Sequence, residues 1–501
     1  MAAIAKPEHP MLSTEQYQAP PNGFRTFVIV WITQSVSVFG SALTWFAVTI
    51  WLTQSLYPRP EQKPELAFAL TAIGLTYAVT LLLAPVAGAW ADRHDRKRTM
   101  MVVDFASGCI TLLLMGLMLA NLLNIWLLLG ILVVFGALSP FHNSAFDTSY
   151  AMLVPEKQLP RANGMMQTIW SLSGILSPGI AAAIIALPSL ARQGALPAGL
   201  NNVFAGLTDG AALAIGVDGV TFFLASAVLL FVHIPSPKRT DLHAAGNAKK
   251  KSVWADIKEG ALYIKRRPPL LWLLLTFTVI NFASSPIEVF IPLLLKFNLA
   301  ADWQAQGFTF ESALAVVSTV GGIGGLIGGV LMSAWGGVKK KRIYGVIIPI
   351  MLAGFVEILY GFSPFLFLTA VANFFLVSLT PIMNAHSQTI WQTQVAHHLQ
   401  GRVFAVRRVI AQFTGPLGIM MAGIAGAQFN PGVILMVLGV LVVVFSIGQL
   451  FNPFLLRVGD KAYLDKLAIE RGETPDTNTA PTSDEEPIHH IAPLPVPVPE
   501  Q

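Results

Sequence analysis

Charge and cysteine are both scarce in this sequence. Only 12% of the 501 residues are Asp, Glu, Lys or Arg, whereas 54% are hydrophobic and the mean hydropathy is +0.62. Soluble domains carry about 25% charged residues, and a soluble fold of this size could not hide so much apolar surface from water. The one cysteine, Cys109, excludes a disulfide framework and a cysteine-based metal site. The composition therefore excludes soluble, disordered and fibrous proteins and indicates a polytopic membrane protein.

Long apolar runs are abundant instead. A membrane-spanning helix needs about 20 mostly apolar residues, and twelve runs meet that requirement. They predict an all-α membrane protein with twelve transmembrane helices. The runs cover residues 26–55, 66–90, 99–121, 123–147, 163–187, 211–234, 269–295, 311–335, 343–362, 364–388, 403–427 and 432–456.

Lysine and arginine are unequally divided between the two predicted faces. If the N-terminus is cytoplasmic, 28 of the 32 Lys and Arg residues fall in cytoplasmic segments. The opposite face keeps only Arg59, Lys63, Arg192 and Lys296. The positive-inside rule then predicts a multi-pass protein of the bacterial inner membrane with both termini cytoplasmic. This distribution accounts for the net charge of +5, and no nucleic-acid partner is expected.

The longest predicted cytoplasmic loop divides the chain into two halves. Within it, residues 253–265 have the pattern of an amphipathic helix lying at the membrane surface. The expected divisions are an N-terminal segment at 1–25, a six-helix bundle at 26–234, a linker at 235–268, a second six-helix bundle at 269–456 and a disordered, proline-rich tail at 457–501.

Short patterns recur in the same order in both halves. A basic run follows Trp90 in the first half and Trp335 in the second, and Pro178 has a counterpart in Pro416. The repetition predicts two pseudo-symmetric six-helix bundles. That architecture is typical of transporters, which bind their substrate between the repeats near the middle of the membrane.

The loop between the second and third predicted helices carries the most specific motif, Gly-Ala-Trp-Ala-Asp-Arg-His-Asp-Arg-Lys-Arg over residues 88–98. It resembles the loop 2–3 signature of the major facilitator superfamily, Gly-x-x-x-Asp-Arg-x-Gly-Arg-Lys-x. It departs from that signature at Asp95, where the general pattern has glycine. This form, with the segments at 153–164 and 401–405, resembles the macrolide-efflux and enterobactin-exporter branch. The matching residues are Gly88, Asp92, Arg93, Arg96 and Lys97.

We expect this loop to act as a conformational latch together with Asp147 at the cytoplasmic end of helix 4. A nearby helix N-terminus would stabilise the Asp92 carboxylate, and Arg96 needs an acidic partner if it packs against the bundle. The hypothesis is one ion network of Asp92, Arg96 and Asp147 that holds the halves together on the cytoplasmic side in the outward-open state. A simple run of stop-transfer charges is the alternative.

Small residues and prolines mark two further helices. Helix 5 carries Gly174 and Pro178, and helix 11 carries Gly415 and Pro416. Small residues allow helices to pack closely, and proline adds a bend. The helix 5 segment is similar to the antiporter motif of the superfamily, with other small residues in place of the motif's glycines, and this suggests antiport.

Charged residues at membrane depth are costly and are therefore functional candidates. Glu288 lies beside Pro286 in helix 7, which the resemblance implies lines the central cavity, and we expect it to carry a coupling proton. The alternative is a wet residue at the outer gate. Asp104 is the second proton-coupling candidate, or else it forms a structural ion pair with the loop arginines. Asp218 is expected to reach water, and Glu357 to be structural.

Polar and aromatic residues of helices 1, 4 and 7 are candidates for the substrate cavity. The histidines lack metal-ligand spacing, and no phosphate-binding loop with its lysine is present. We therefore expect no metal, no cofactor and no use of ATP. The cavity candidates are Gln34, Ser37, Phe141, His142, Asn281 and Phe282.

These observations predict a secondary transporter rather than an enzyme. We expect a monomer in the lipid bilayer that exports amphipathic organic compounds, of drug or siderophore type, in exchange for protons by alternating access. Uptake or lipid flipping by the same fold is the first alternative. A membrane-embedded enzyme would need a catalytic loop, which the outer loops lack, and a non-transporting scaffold is favoured only by the proline-rich tail.

Overall fold

The computed structural model is all-helical over the residues that it describes. Within these residues, twelve helices are long and apolar enough to cross a membrane. The predicted fold class is therefore confirmed. The described residues are 20–91, 93–155, 158–207, 210–234, 253–396 and 399–472.

Six of the spans lie before the linker, in what we call the N-terminal half. The first span continues as a π-helical turn over Trp51–Leu56, and a short helix, Ala198–Phe204, precedes the sixth. The spans are α1 Gly23–Ile50, α2 Lys63–Ala91, α3 Arg96–Leu119, α4 Ile125–Leu153, α5 Leu159–Arg192 and α6 Ala211–Phe231.

The other six spans form the C-terminal half. The seventh has two segments, α7a Pro268–Ser284 and α7b Ile287–Phe297. Short helices also occur at Ala300–Ala305, Pro453–Leu456 and Lys461–Glu470. The remaining spans are α8 Phe310–Trp335, α9 Tyr344–Phe362, α10 Leu366–Gln394, α11 Gln400–Gln428 and α12 Pro431–Leu450.

The break in the seventh span falls at Pro286, as the sequence predicts. Proline lacks a backbone N–H and its ring clashes with the preceding turn, so a helix stops or bends there. The first segment ends at Ser284, and Pro286 caps the second. The break is packed against α11, since a Cβ on Gly418 would collide with the carbonyl of Phe282.

The amphipathic helix predicted in the linker is present as Val253–Arg266. It lies against the C-terminal half, where Glu259 pairs with Arg402 of α11 at 2.9 Å. The Tyr263 hydroxyl donates to the carbonyl of Gln394 at 3.1 Å. These contacts fix the helix to α10 and α11, so its position depends on the protein as well as on the membrane surface.

The two halves meet through α2 with α11 and through α5 with α8. Apart from the linker, short connections join successive spans, so the spans alternate in direction and the start of α1 and the end of α12 share one side. We call this the terminal side and the opposite one the distal side. A side chain on Gly423 would collide with Thr71, and Thr319 donates to the carbonyl of Ile175 at 3.1 Å. These contacts lie in the middle and distal parts of the bundle.

Candidate functional site

Three of the predicted site residues come together inside the N-terminal half. Asp104 on α3 is buried, and its side chain accepts a hydrogen bond from the Gln34 amide of α1 at 3.1 Å. The His142 Nε2 atom of α4 lies 3.1 Å from the other Asp104 oxygen, at ion-pair distance but without hydrogen-bond alignment. Asp104 begins the third turn of α3, about 12 Å from its terminal end at 1.5 Å per residue. The cluster therefore places a carboxyl and an imidazole at membrane depth.

The partners of Asp104 differ from those that the sequence indicates. The loop arginines were the expected partners, but the carboxyl points away from the loop and between α1 and α4. The His142 side chain is 15% exposed while that of Asp104 is 2% exposed, so the imidazole is the less buried member of the pair. An aspartate and a histidine at this distance can share a proton, and the histidine can exchange it.

Asp218 forms a second buried carboxyl cluster, which the sequence interpretation missed. Its side chain is 1% exposed in the middle of α6, so the expectation that it reaches water is wrong. The Thr44 hydroxyl donates to it at 2.7 Å and the Ser41 hydroxyl at 3.3 Å. The Thr221 hydroxyl is 3.5 Å from it. Hydroxyls every three to four residues in α1 were the available signal, because they form one helix face.

The predicted cavity residues are for the most part engaged with other helices. Gln34 and Ser37 are buried in this structure, so their place in a substrate cavity stays a prediction. The Asn281 amide donates to the carbonyl of Ala411 at 2.7 Å, and this holds α7a against α11. Phe141 packs edge-on against the indole of Trp90, and Phe282 is half-buried. The sequence identifies these residues as polar or aromatic, but it does not show which neighbouring helix each side chain faces.

The two other membrane acids have contrasting surroundings. Glu288 opens α7b and is exposed, and no described residue lies within bonding distance of it. Glu357 on α9 is buried, and its Oε1 atom has no hydrogen-bond partner among the described residues. Glu288 therefore remains a predicted coupling residue with access to solvent, and Glu357 remains a predicted structural one.

Most of the predicted latch loop is described, although Asp92 lies outside the described residues. Asp95 occupies the position before α3 and accepts a bond from the backbone N–H of Arg98 at 2.9 Å. An aspartate at this position caps the helix, which explains why the loop tolerates it in place of glycine. The Lys97 ammonium donates to the carbonyl of Leu230 at 3.0 Å, near the end of α6. Arg93 is exposed.

Arg96 is buried and bonds to α4. Its guanidinium donates to the carbonyl of Thr148 at 3.3 Å and contacts the sulfur of Met152. Asp147 is exposed, and the charged group of the other half that acts on it is Arg408 of α11. The three-residue network of the outward-open state thus remains a prediction. A side chain on Gly88 would meet open space, so close backbone approach there is not observed.

The predicted packing residues lie at or near contacts between helices. A Cβ on Gly322 of α8 would come within 2.8 Å of the carbonyl of Gly174, so α5 and α8 touch through their backbones. A Cβ on Gly415 would come within 3.1 Å of the Ser285 hydroxyl at the break in the seventh span. Pro178 and Pro416 lie inside α5 and α11.

Two lysines link the halves on the distal side. The Lys296 ammonium at the end of α7b donates to the carbonyls of Thr53 and Tyr57 beyond α1, at 2.5 Å each. A lysine of the N-terminal half makes the reverse contact: the Lys63 ammonium of α2 donates to the carbonyl of Phe429, beyond the end of α11, at 2.7 Å. Each positive charge therefore sits at the negative end of a helix in the other half. We call Lys63 and Lys296 the distal lysine pair.

An apolar groove of about 210 Å³ lies between α1 and α5. Trp31 and Phe39 contribute from α1, and Leu172 and Leu176 from α5. No group of His, Cys, Asp and Glu suited to a metal ion is found among the described residues. Apolar walls with a few polar groups are typical of sites for organic ligands.

Comparison with known proteins finds relatives that are named as efflux proteins. The chain is 25% identical over 426 residues to macrolide efflux protein A of Streptococcus pyogenes, covering 84% of this chain and 94% of that protein. It is 25% identical over 371 residues to the multidrug efflux pump Tap of Mycolicibacterium fortuitum, covering 71% and 80%. The predicted resemblance to macrolide-efflux proteins is confirmed.

Solved structures with the same fold are also transporters. A bacterial homologue of the human lysosomal transporter Spinster, inward-facing and unoccupied, matches with a TM-score of 0.58 at 15% identity over 92% of this chain and all of its own. A mutant of the nucleoside transporter NupG matches with a TM-score of 0.60 at 13% identity, over 86% of this chain and all of its own. At these identities the likeness shows the fold alone.

The family follows from a match that covers most of the chain. The family model described as Major Facilitator Superfamily matches residues 30–419, which include eleven of the twelve spans in whole or in part. The chain belongs to the major facilitator superfamily of membrane transporters.

Proposed function

We propose that this transporter exports amphipathic organic compounds of the macrolide type in exchange for protons. The efflux proteins among its relatives support the substrate class, and the apolar groove between α1 and α5 offers a surface for an apolar ring. The observation that carries proton coupling is the Asp104–His142 pair, buried between helices of the N-terminal half.

The terminal side is cytoplasmic in this proposal. Basic residues are concentrated in the segments that end there, and the distal side keeps four of the 32. The contacts named above between α2 and α11 and between α5 and α8 lie in the middle and distal parts of the bundle, and the distal lysine pair adds charge-assisted links there. The structure thus fits a state closed to the outside, and breaking these links would lead to the outward-open state.

Proton coupling can be tested with Asp104→Asn, which keeps the shape of the side chain and removes its acidity. Purified protein in proteoliposomes is given a panel of macrolides, siderophores and lysolipids with an imposed pH gradient. One proton supplies about 2.3 kcal/mol per 100 mV, which supports an accumulation of roughly fifty-fold at 1.4 kcal/mol per tenfold. We expect the variant to lose this accumulation and to keep exchange of substrate without a gradient.

The matched control is Glu65→Gln, an exposed acid on the distal side. It should accumulate substrate as the unmodified protein does. If no compound of the panel moves in the unmodified protein, the exporter proposal is wrong. If Asp104→Asn concentrates substrate normally, coupling lies elsewhere, and Glu288→Gln is then the variant to measure.

A further inference from the structure

One face of α1 carries a row of polar side chains turned into the N-terminal half. Its spacing of three, four and three residues keeps the row on one side of the helix. At one end the row contacts Asp104, and at the other it contacts Asp218. The ends are ten residues apart, a rise of about 15 Å. We call Gln34, Ser37, Ser41 and Thr44 the hydroxyl row, after its three hydroxyl members.

α3 continues the same polar interface. Ser107 and Thr111 follow Asp104 by three and seven residues and are buried. A Cβ on Gly219, the neighbour of Asp218, would come within 2.9 Å of Leu112. The Asp218 carboxyl therefore lies about two turns distal of Asp104, and the two α3 hydroxyls occupy the levels between them.

Asp218 has no counter-ion within the described part of the chain. Three spans pack against α6, namely α1, α3 and α5. Of these, α1 contributes hydroxyls, and the buried acid that α3 contributes is Asp104. The α5 span contributes Arg192, which donates to the carbonyl of Leu207 near the distal surface. Burying an unpaired carboxylate costs several kcal/mol, and an asparagine could accept the same hydroxyl bonds without that cost. A carboxyl at this position therefore indicates chemistry rather than packing.

We propose that Asp218 is a second proton-binding group and that the hydroxyl row carries the proton between it and Asp104. This inference rests on the proposed proton-coupled export. Along the row each hydroxyl oxygen gains a proton from one bridging water and loses its own to the next, and water carries the proton from Ser37 past the Gln34 amide to Asp104. One O–H bond forms for each that breaks, and the net change is one proton lost at Asp218 and one gained at Asp104. The proton then reaches the terminal side through His142.

The test uses Asp218→Asn in proteoliposomes that contain a pH-sensitive dye, with erythromycin as the probe. We expect the proton flux induced by erythromycin to fall at least ten-fold and gradient-free exchange to stay within two-fold of the unmodified protein. Thr44→Val and Ser37→Ala, which interrupt the row and leave both carboxyls, should lower the flux several-fold. The matched control is Ser226→Ala, since that hydroxyl lies in the α3–α6 interface but bonds the carbonyl of Met101.

The possible results of this experiment distinguish this inference from the proposed function and from a structural or sodium-binding role of Asp218. Unchanged flux in Asp218→Asn overturns it and leaves the proposed function intact, provided that the unmodified protein moves protons. Absence of flux in the unmodified protein overturns the proposed function and this inference together. If Asp218→Asn loses both activities, unchanged flux in Thr44→Val and Ser37→Ala assigns Asp218 a structural role. Flux that follows sodium rather than pH assigns the cluster to a sodium ion and also overturns the proposal.

Discussion

Replacing Lys296 by methionine should open the distal side. The Lys296 ammonium makes two of the direct bonds between the halves, to carbonyls beyond the end of α1. The ring of Phe297 lies 5.7 Å from it, so the site is partly screened from water. Methionine keeps an unbranched chain of similar length and removes both the charge and the donors.

The size of the effect follows from the geometry. A hydrogen bond with one charged partner contributes about 1.5–3 kcal/mol, and a charge at an exposed helix end about 0.3–1 kcal/mol. Opening returns the ammonium and the carbonyls to water, so about 2 kcal/mol is a reasonable net value for both bonds. At 1.4 kcal/mol per tenfold, the ratio of distal-closed to distal-open molecules falls about thirty-fold. A population of about 99:1 becomes about 3:1.

Distances between spin labels on the distal side measure this shift. Leu122 and Phe365 are exposed there, one in each half, and can be changed to cysteine for labelling. Cys109 is exposed and is first changed to serine. In lipid nanodiscs we expect the Lys296→Met protein to gain a population with a longer distance that the parent lacks.

Arg192→Met is the matched control for this measurement. Arg192 is also a basic residue on the distal side that donates to a backbone carbonyl, but its partner, Leu207 at 2.8 Å, belongs to the same half. Its loss should leave the distance distribution unchanged. Identical distributions for the parent and Lys296→Met would refute the argument, and so would equal shifts in both variants.

Two glycine substitutions test the close contacts around the proposed sites. Gly40→Ala should lower the thermal stability in detergent, because the new Cβ would collide with the hydroxyl of Thr221. Gly116→Ala is the control, since its Cβ meets open space. Equal melting temperatures for the two variants would contradict this prediction. Gly322→Ala should lengthen the same label distance, because its Cβ would press on the α5 backbone, whereas Gly329→Ala on the same helix meets open space and should not.

The spans could be predicted from the sequence because the bilayer imposes their length and composition. All twelve predicted runs correspond to helices of the structure. The ends differ most in α4 and α10, which continue to Leu153 and Gln394, six residues beyond the predicted runs, and in α12, which ends at Leu450, six residues before its run does. Final turns that contain polar residues extend α4 and α10 beyond the apolar segment, and hydropathy alone does not predict them.

The candidate site was harder to predict, because the position of a residue along a helix does not show which neighbouring helix its side chain faces. The sequence predicts Gln34 and His142 as cavity residues and Asp104 as a proton-coupling residue, and only the packing of three helices brings the three together. Asp218 was expected to reach water, since nothing in the apolar run indicates that its carboxyl faces α1. In a helix wetted by lipid on one side, small shifts in rotation decide which polar groups meet.

The positive-inside rule, applied to the whole chain, does not predict the contacts that the distal lysine pair makes. The sequence identifies Lys63 and Lys296 as two of four basic residues on the sparsely charged face, where they read as exceptions to the positive-inside rule. Their side chains instead reach the carbonyl ends of helices in the opposite half. Their hydrogen-bond partners are backbone carbonyls distant in sequence, so the residues next to each lysine do not indicate these contacts. The two lysines thus lie where they can hold the two halves together. Proton movement through the hydroxyl row would occur inside one half, while the lysine links form and break between the two halves.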